Sequence, residues 1–273
     1  MTDPLLDRIA AALDRLAPPA APPIDWTADP AYVWDTAGPR AVPVLLAPPL
    51  ALLRGIDPQK DAVVGNVMRH ATGHAAHDML LWGSRGMGKS ALLRAAIAAA
   101  QAAQAGSIAL VQVAPDALAS LAGLFGRLGQ VERRFLVYID DLGFEDGDST
   151  GPRQLRSWLE GGVEARPANV RLAVTANRRA IVSRHLSEQD DPINPRDAVD
   201  DRLALADRFG LSIGFHACSQ DDYLAIIAGY AEAHGLAFDA GDALEWSKRR
   251  GARSGRVAWQ YVTELAGRAG RSL

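Results

Sequence analysis

The chain has 273 residues, 48 % of them hydrophobic, and a formal net charge of −3. That is enough apolar material for one large domain or two modest ones, and the near-neutral balance gives no reason to expect an obligatory nucleic-acid or membrane partner. One cysteine, Cys218, excludes an internal disulfide and fits a reducing, cytoplasmic compartment.

Residues 3–17 place Leu5, Leu6, Ile9, Leu13 and Leu16 on one helical face. Asp3, Asp7 and Arg8 interrupt what a secretory leader would need as an apolar core. The segment "APPAAPPI" (17–24) breaks any helix and reads as a stiff extended linker. "DWTADPAYVW" and "VPVLLAPPLALLRG" follow, apolar but punctuated by proline, and are expected to pack as irregular structure on a larger body. Residues 55–73 read as a turn into a helix, with Asp57 as N-cap and Pro58 at the first helical position. His70, His74 and His77 have metal-compatible spacing, but without a neighbouring carboxylate or cysteine they read as a surface helix.

A regular alternation begins at residue 78. Strands are expected over 78–83, 107–114, 134–141, 169–177 and 211–217, with helices over 89–104, 115–129 and 151–161 and a short one ending near Phe209. Continuous apolar strands separated by helices predict an α/β fold with a five-stranded parallel sheet covered on both faces. After Cys218 the pattern changes to three helices, each ended by a glycine, which predicts a small all-helical unit. No apolar run is long enough to span a bilayer.

"GSRGMGKS" (83–90) lies between the first of these strands and its helix and fits G-x-x-x-x-G-K-[ST] in full. The motif runs through Gly83, Ser84, Arg85, Gly86, Met87, Gly88, Lys89 and Ser90, with Ala91 in the first helical turn. Glycines let backbone N–H groups turn inward around a phosphate, and the helix N-terminus adds a positive dipole end. Lys89 is expected to reach the β- and γ-phosphates of ATP, and the Ser90 hydroxyl to ligate Mg²⁺. "FLVYIDD" supplies the second signal, a hydrophobic strand ending in two carboxylates. Asp140 fits the Mg²⁺-holding acid, and Asp141 the group that orients or deprotonates the attacking water. The acidic turn "FEDGDST" lacks the ligand alternation of a calcium loop. Phe125 in "GLFGRLG" shares an apolar face with Leu118, Leu121 and Leu128 and is expected in the core rather than on a pore loop.

With these residues in place, the chain resembles the AAA+ ATPases, and more closely a bacterial family of AAA+ proteins known as DUF815. The likeness runs from about Pro43 to Gly270 on "GIDPQK", "LLWGSRGMGKSALLRA", "YIDDLGFEDGD", "LEGGVEARPANV", "TANRRAIV", "ADRFGLSIGF" and "SGRVAWQYV". The resemblance implies an N-terminal extension over 1–42, an AAA+ P-loop core over 43–217 and a helical lid over 218–273. It implies that Asn177 is the sensor-1 residue near the γ-phosphate, that Arg208 is the arginine finger of a neighbouring subunit, and that Arg256 is the sensor-2 residue of the lid. It places Gly55 and Ile56 against adenine. The implied activity is ATP hydrolysis that drives a conformational change on a macromolecule, expected to be a protein, by a homo-oligomer. A slow-hydrolysing nucleotide-gated switch and a nucleic-acid loader are the alternatives. Net negative charge and the lack of a C-terminal helix-turn-helix or basic tail speak against the loader. One departure stands out: the family pattern has glutamate where this chain has Asp141, with Glu145 and Glu160 as reserve carboxylates.

Overall fold

The computed structural model describes residues 24–142, 166–177 and 206–273, and elsewhere only 8, 158 and 159. The helix expected over 3–17, nearly all of the linker after it, the acidic turn and most of the 151–161 helix lie outside the described residues, as do Glu145 and Glu160.

The five strands of the alternation form as β3 (Met79–Gly83), β4 (Ile108–Val113), β5 (Arg134–Ile139), β6 (Val170–Ala176) and β7 (Leu211–Phe215). Their residues are apolar in succession because both faces are covered. Leu80, Val111 and Val137 enter one buried cluster, while Leu81, Leu110 and Leu136 enter the opposite one.

The sheet nevertheless has seven strands, in the order β2-β1-β4-β5-β6-β3-β7. The extra pair comes from the segment expected to be irregular, which forms an antiparallel hairpin of β1 (Ala31–Asp35) and β2 (Gly38–Val42). β1 pairs in parallel with β4, and the four other contacts between strands are parallel too. Pro39 is tolerated because β2 is an edge strand, where a missing N–H breaks no interior ladder. Trp34 fastens the hairpin by donating its indole N–H to Ser120 Oγ at 2.7 Å. Buried Arg133 donates to the carbonyls of Trp26 and Asp29.

Helices α1 (Asp57–Ala71), α2 (Lys89–Ala103) and α3 (Leu121–Leu128) cover the sheet. Asp57 is not the N-cap of α1. Ile56 holds that position without a side-chain cap, and Asp57 in the first turn pairs with Lys60 at 2.5 Å. His70 is not on a surface either: it is buried and donates Nε2–H to Phe135 O at 3.0 Å, while His74 and His77 lie past the helix end. The helix expected over 115–129 is a 3-10 turn over Pro115–Ser120 followed by α3. Phe125 is buried on α3, edge-on to Trp158.

Past Cys218 come α4 (Gln220–Ala233), α5 (Ala240–Arg250) and α6 (Gly255–Arg268). Ser219, Asp239 and Ser254 each cap one of them by accepting a backbone N–H three residues on. Gly235, Gly251 and Gly270, all at positive φ, follow their ends. The three helices enclose their own cluster around Tyr223, Ile227, Tyr261 and Val262. Half-buried Cys218 packs between it and the sheet's cluster. Among the described residues no helix is long and apolar enough to cross a membrane.

Candidate functional site

Parallel pairing brings three strand ends to one rim. Trp82 stands opposite Ala176 and Ile139 opposite Val174, so Gly83, Asp140 and Asn177 leave the sheet side by side. Ligands of open parallel sheets bind outside such carboxyl ends.

The loop from β3 to α2 turns on glycine. Gly83 has φ +122, and a Cβ there would lie 2.1 Å from Phe215 O on β7. Gly86 and Gly88 are also at positive φ, and Gly88 is the N-cap of α2. A side chain on Gly86 would strike Ser254 Oγ at 2.9 Å, and the Gly86 carbonyl accepts the Arg256 N–H at 3.1 Å. The start of α6 is thereby docked on the loop.

Lys89 is only 8 % exposed. Its Nζ donates to Gly83 O at 2.7 Å and Ser84 O at 3.0 Å. Burial holds its pKa below the ordinary lysine value, and Arg85 and Arg256 act in the same sense, while Asp141 and Asp140 oppose them. Neutral carbonyls are modest partners for an ammonium, so phosphate oxygens reaching the loop would bind it more strongly.

Asp140 Oδ1 accepts from Ser90 Oγ at 2.8 Å and from Thr175 Oγ1 at 2.6 Å. Burial opposes its ionisation, but hydrogen bonds, including those from Thr175 and Ser90, outweigh it, so Asp140 ionises below the ordinary carboxylate range. Among the described residues no group of three or more His, Cys, Asp or Glu could hold a metal. The Ser90–Asp140 pair fits the other kind of site, in which Mg²⁺ takes one or two protein oxygens and fills its shell with phosphate and water.

Asp141 is the one non-glycine at positive φ among the described residues, with φ +50. That conformation is costly for an aspartate, by roughly 1 kcal/mol. Its N–H donates to Thr175 Oγ1 at 2.8 Å. Its carboxylate accepts from Asn177 Nδ2 and pairs with Arg85 at 3.7 Å.

These groups face a cleft of about 610 Å³ between the sheet rim and the three C-terminal helices. Arg85, Gly86, Met87, Gly88, Lys89, Ser90, Ala91, Asp140, Asp141, Asn177, Arg256 and Ile56 all line it. Gly83 and Ser84 contribute from beneath, through the carbonyls that receive Lys89. Gly55, expected against adenine, is not in the lining and at φ +75 faces Asp222 of α4. Arg208, expected to serve a neighbouring subunit, lies just before β7 and is not part of this cleft's lining. Among the lining residues that the sequence does not point to are Thr175, Arg94, Tyr230 and Trp259. Trp259 lies one helical turn past Arg256, so the helix period could have found it. The Tyr230 and Trp259 rings meet edge to face at 5.0 Å and, with Leu53, Ile56 and Ile226, give the cleft an apolar part of its lining.

Residues 27–269 match the DUF815 family, described as a protein of unknown function. No curated protein matches the chain. Among solved structures, the Thermotoga maritima RuvB Holliday junction branch migration motor aligns with a TM-score of 0.53 at 16 % identity, over 84 % of this chain and 68 % of that one. The Aeropyrum pernix ORC1 protein in complex with DNA aligns with a TM-score of 0.51 at 17 % identity, over 79 % of this chain and 61 % of that one. The fold is that of the AAA+ P-loop ATPases, as the motifs implied, with a seven-stranded sheet.

Proposed function

This chain belongs to the DUF815 family, and we propose that it binds ATP with Mg²⁺ in the cleft and hydrolyses it to move its helical lid (218–273) against its core, which contains β1 and β2 and so begins before the expected boundary at 43. The observation that carries the reading is convergence: Lys89, Ser90, Asp140, Asp141, Asn177 and Arg256, drawn from both parts of the chain, line one cavity. Lys89 and the loop N–H groups take the phosphates, and the apolar part of the lining, Leu53, Ile56, Ile226, Tyr230 and Trp259, takes the base. Ser90 and Asp140 hold Mg²⁺, which when bound offsets phosphate charge. Asp141 accepts a proton from the attacking water. The water oxygen bonds to the γ-phosphorus, the bond to the β,γ-bridging oxygen breaks, and ADP and phosphate leave. Asn177 orients that water or the γ-phosphate, and Arg256 reaches the γ-phosphate from the lid.

Because the lid touches the loop through Gly86 and Arg256, a change in phosphate occupancy has a direct route to lid position. The work is done on a macromolecule, most simply a protein. RuvB is titled a branch migration motor and the ORC1 structure contains DNA. A nucleic-acid role for this chain stays the lesser reading given its net charge of −3. A slow-hydrolysing switch is favoured by one observation, the hydrogen bond that Asn177 gives to the Asp141 carboxylate.

The test is calorimetric titration with MgATP. Wild type binds, and Lys89→Ala loses roughly tenfold to a hundredfold or more in affinity while still folded. Equal affinity in that variant would remove the phosphate-loop reading.

A further inference from the structure

The P-loop carries a second cation whose place in the cleft no motif assigns. Arg85 is the third residue of GSRGMGKS, a position the motif leaves open. Lys89 points into the loop and is buried, whereas the Arg85 side chain is 72 % exposed and crosses to Asp141, 3.7 Å away. The Asp141 side chain is 56 % exposed and also receives the Asn177 amide. Arg85, Asp141 and Asn177 thus form a chain of contacts from the P-loop across the ends of β5 and β6, on the Asp140 side of the cleft. In the reading above, that is where the last phosphate of the nucleotide ends.

An ion pair this exposed and this long is weak, so it has little structural purpose and breaks readily. A terminal phosphate carries more charge than one carboxylate and offers oxygens matched to the guanidinium fork. We infer that Arg85 recognises the γ-phosphate in cis by partner exchange: the guanidinium leaves Asp141 for the γ-phosphate, which distinguishes ATP from ADP and releases the Asp141 carboxylate to meet the attacking water. A diphosphate does not reach the guanidinium and leaves the Arg85–Asp141 pair in place. The inference rests on the proposed ATP site and adds to it a residue that sets triphosphate preference without help from a neighbouring subunit.

The experiment is calorimetric titration of the full chain with Mg-ADP and with the non-hydrolysable triphosphate AMP-PNP. Arg85→Ala is expected to bind ADP within about twofold of wild type and AMP-PNP roughly tenfold more weakly, with Arg85→Lys between them. Asp141→Asn frees the guanidinium and raises the triphosphate preference, and adding Arg85→Ala cancels that rise. An unchanged preference in Arg85→Ala, or an equal loss for both nucleotides, overturns the recognition role. A rise in Asp141→Asn that survives Arg85→Ala overturns the exchange. If wild type binds neither nucleotide, the ATP reading itself falls and this inference with it; binding of both by wild type, with its preference intact in Arg85→Ala, removes this inference alone.

Discussion

In the proposed mechanism, Asp141 carries the chemical decision at the scale of single residues. Its carboxylate is one methylene shorter than the glutamate expected from the family pattern, yet the positive φ and the bonds from Asn177 and to Thr175 fix where it points. Asp141→Asn keeps the side-chain shape and removes the proton acceptor, so the variant should bind ATP while phosphate release falls by roughly 10²–10⁴-fold. Unchanged turnover would place the base elsewhere, with Glu145 or Glu160 next to be replaced. The phosphate loop, Asp140 and Asp141 were legible in sequence because each follows a strand at a fixed place in the alternation, whereas Asn177 came only from the family resemblance. Thr175 was not legible, although it bonds to both acids. A threonine inside an apolar strand looks like an ordinary β-former, and only the β5–β6 register reveals that it stands opposite Asp140.

Elements were legible where their period was clean. The five strands of the alternation and the capped, glycine-ended helices were read within a few residues of where they form. The β1–β2 hairpin was hidden by prolines that an edge strand accepts, and His70 read as a surface residue because no carboxylate or cysteine near it in sequence suggested a partner. His70 instead ties α1 to β5, and burial, partly countered by its bond to Phe135 O, lowers its pKa from 6.5 to about 4. The folded state therefore takes up this proton only near pH 4, whereas the unfolded chain takes it near 6.5. The stability His70 provides is complete above pH 6.5 and is lost as pH falls toward about 4. The loss amounts to roughly 3 kcal/mol at most. The urea midpoint should fall as pH drops from neutral to mildly acidic values, and His70→Gln, which retains a donor for Phe135 O, should flatten that dependence. The same slope in the variant would mean that other groups set it.

Across the whole molecule, the open question is where Arg208 acts. It precedes β7 and is not part of its own subunit's cleft lining, which suits a group that completes a neighbour's site. A guanidinium supplied in this way contributes roughly 10³–10⁵-fold in rate. Arg208→Ala should then bind ATP normally and hydrolyse it poorly, and activity per subunit should rise with protein concentration as subunits assemble. That assembly was implied by the family pattern rather than readable from any single residue. Phosphate release from MgATP, followed in wild type over a range of protein concentrations beside Lys89→Ala and Arg208→Ala, tests the ATPase reading most directly. Release by wild type that steepens with concentration, is absent in Lys89→Ala and is strongly reduced in Arg208→Ala is the predicted result. Wild-type release no greater than that of Lys89→Ala at every concentration would contradict it.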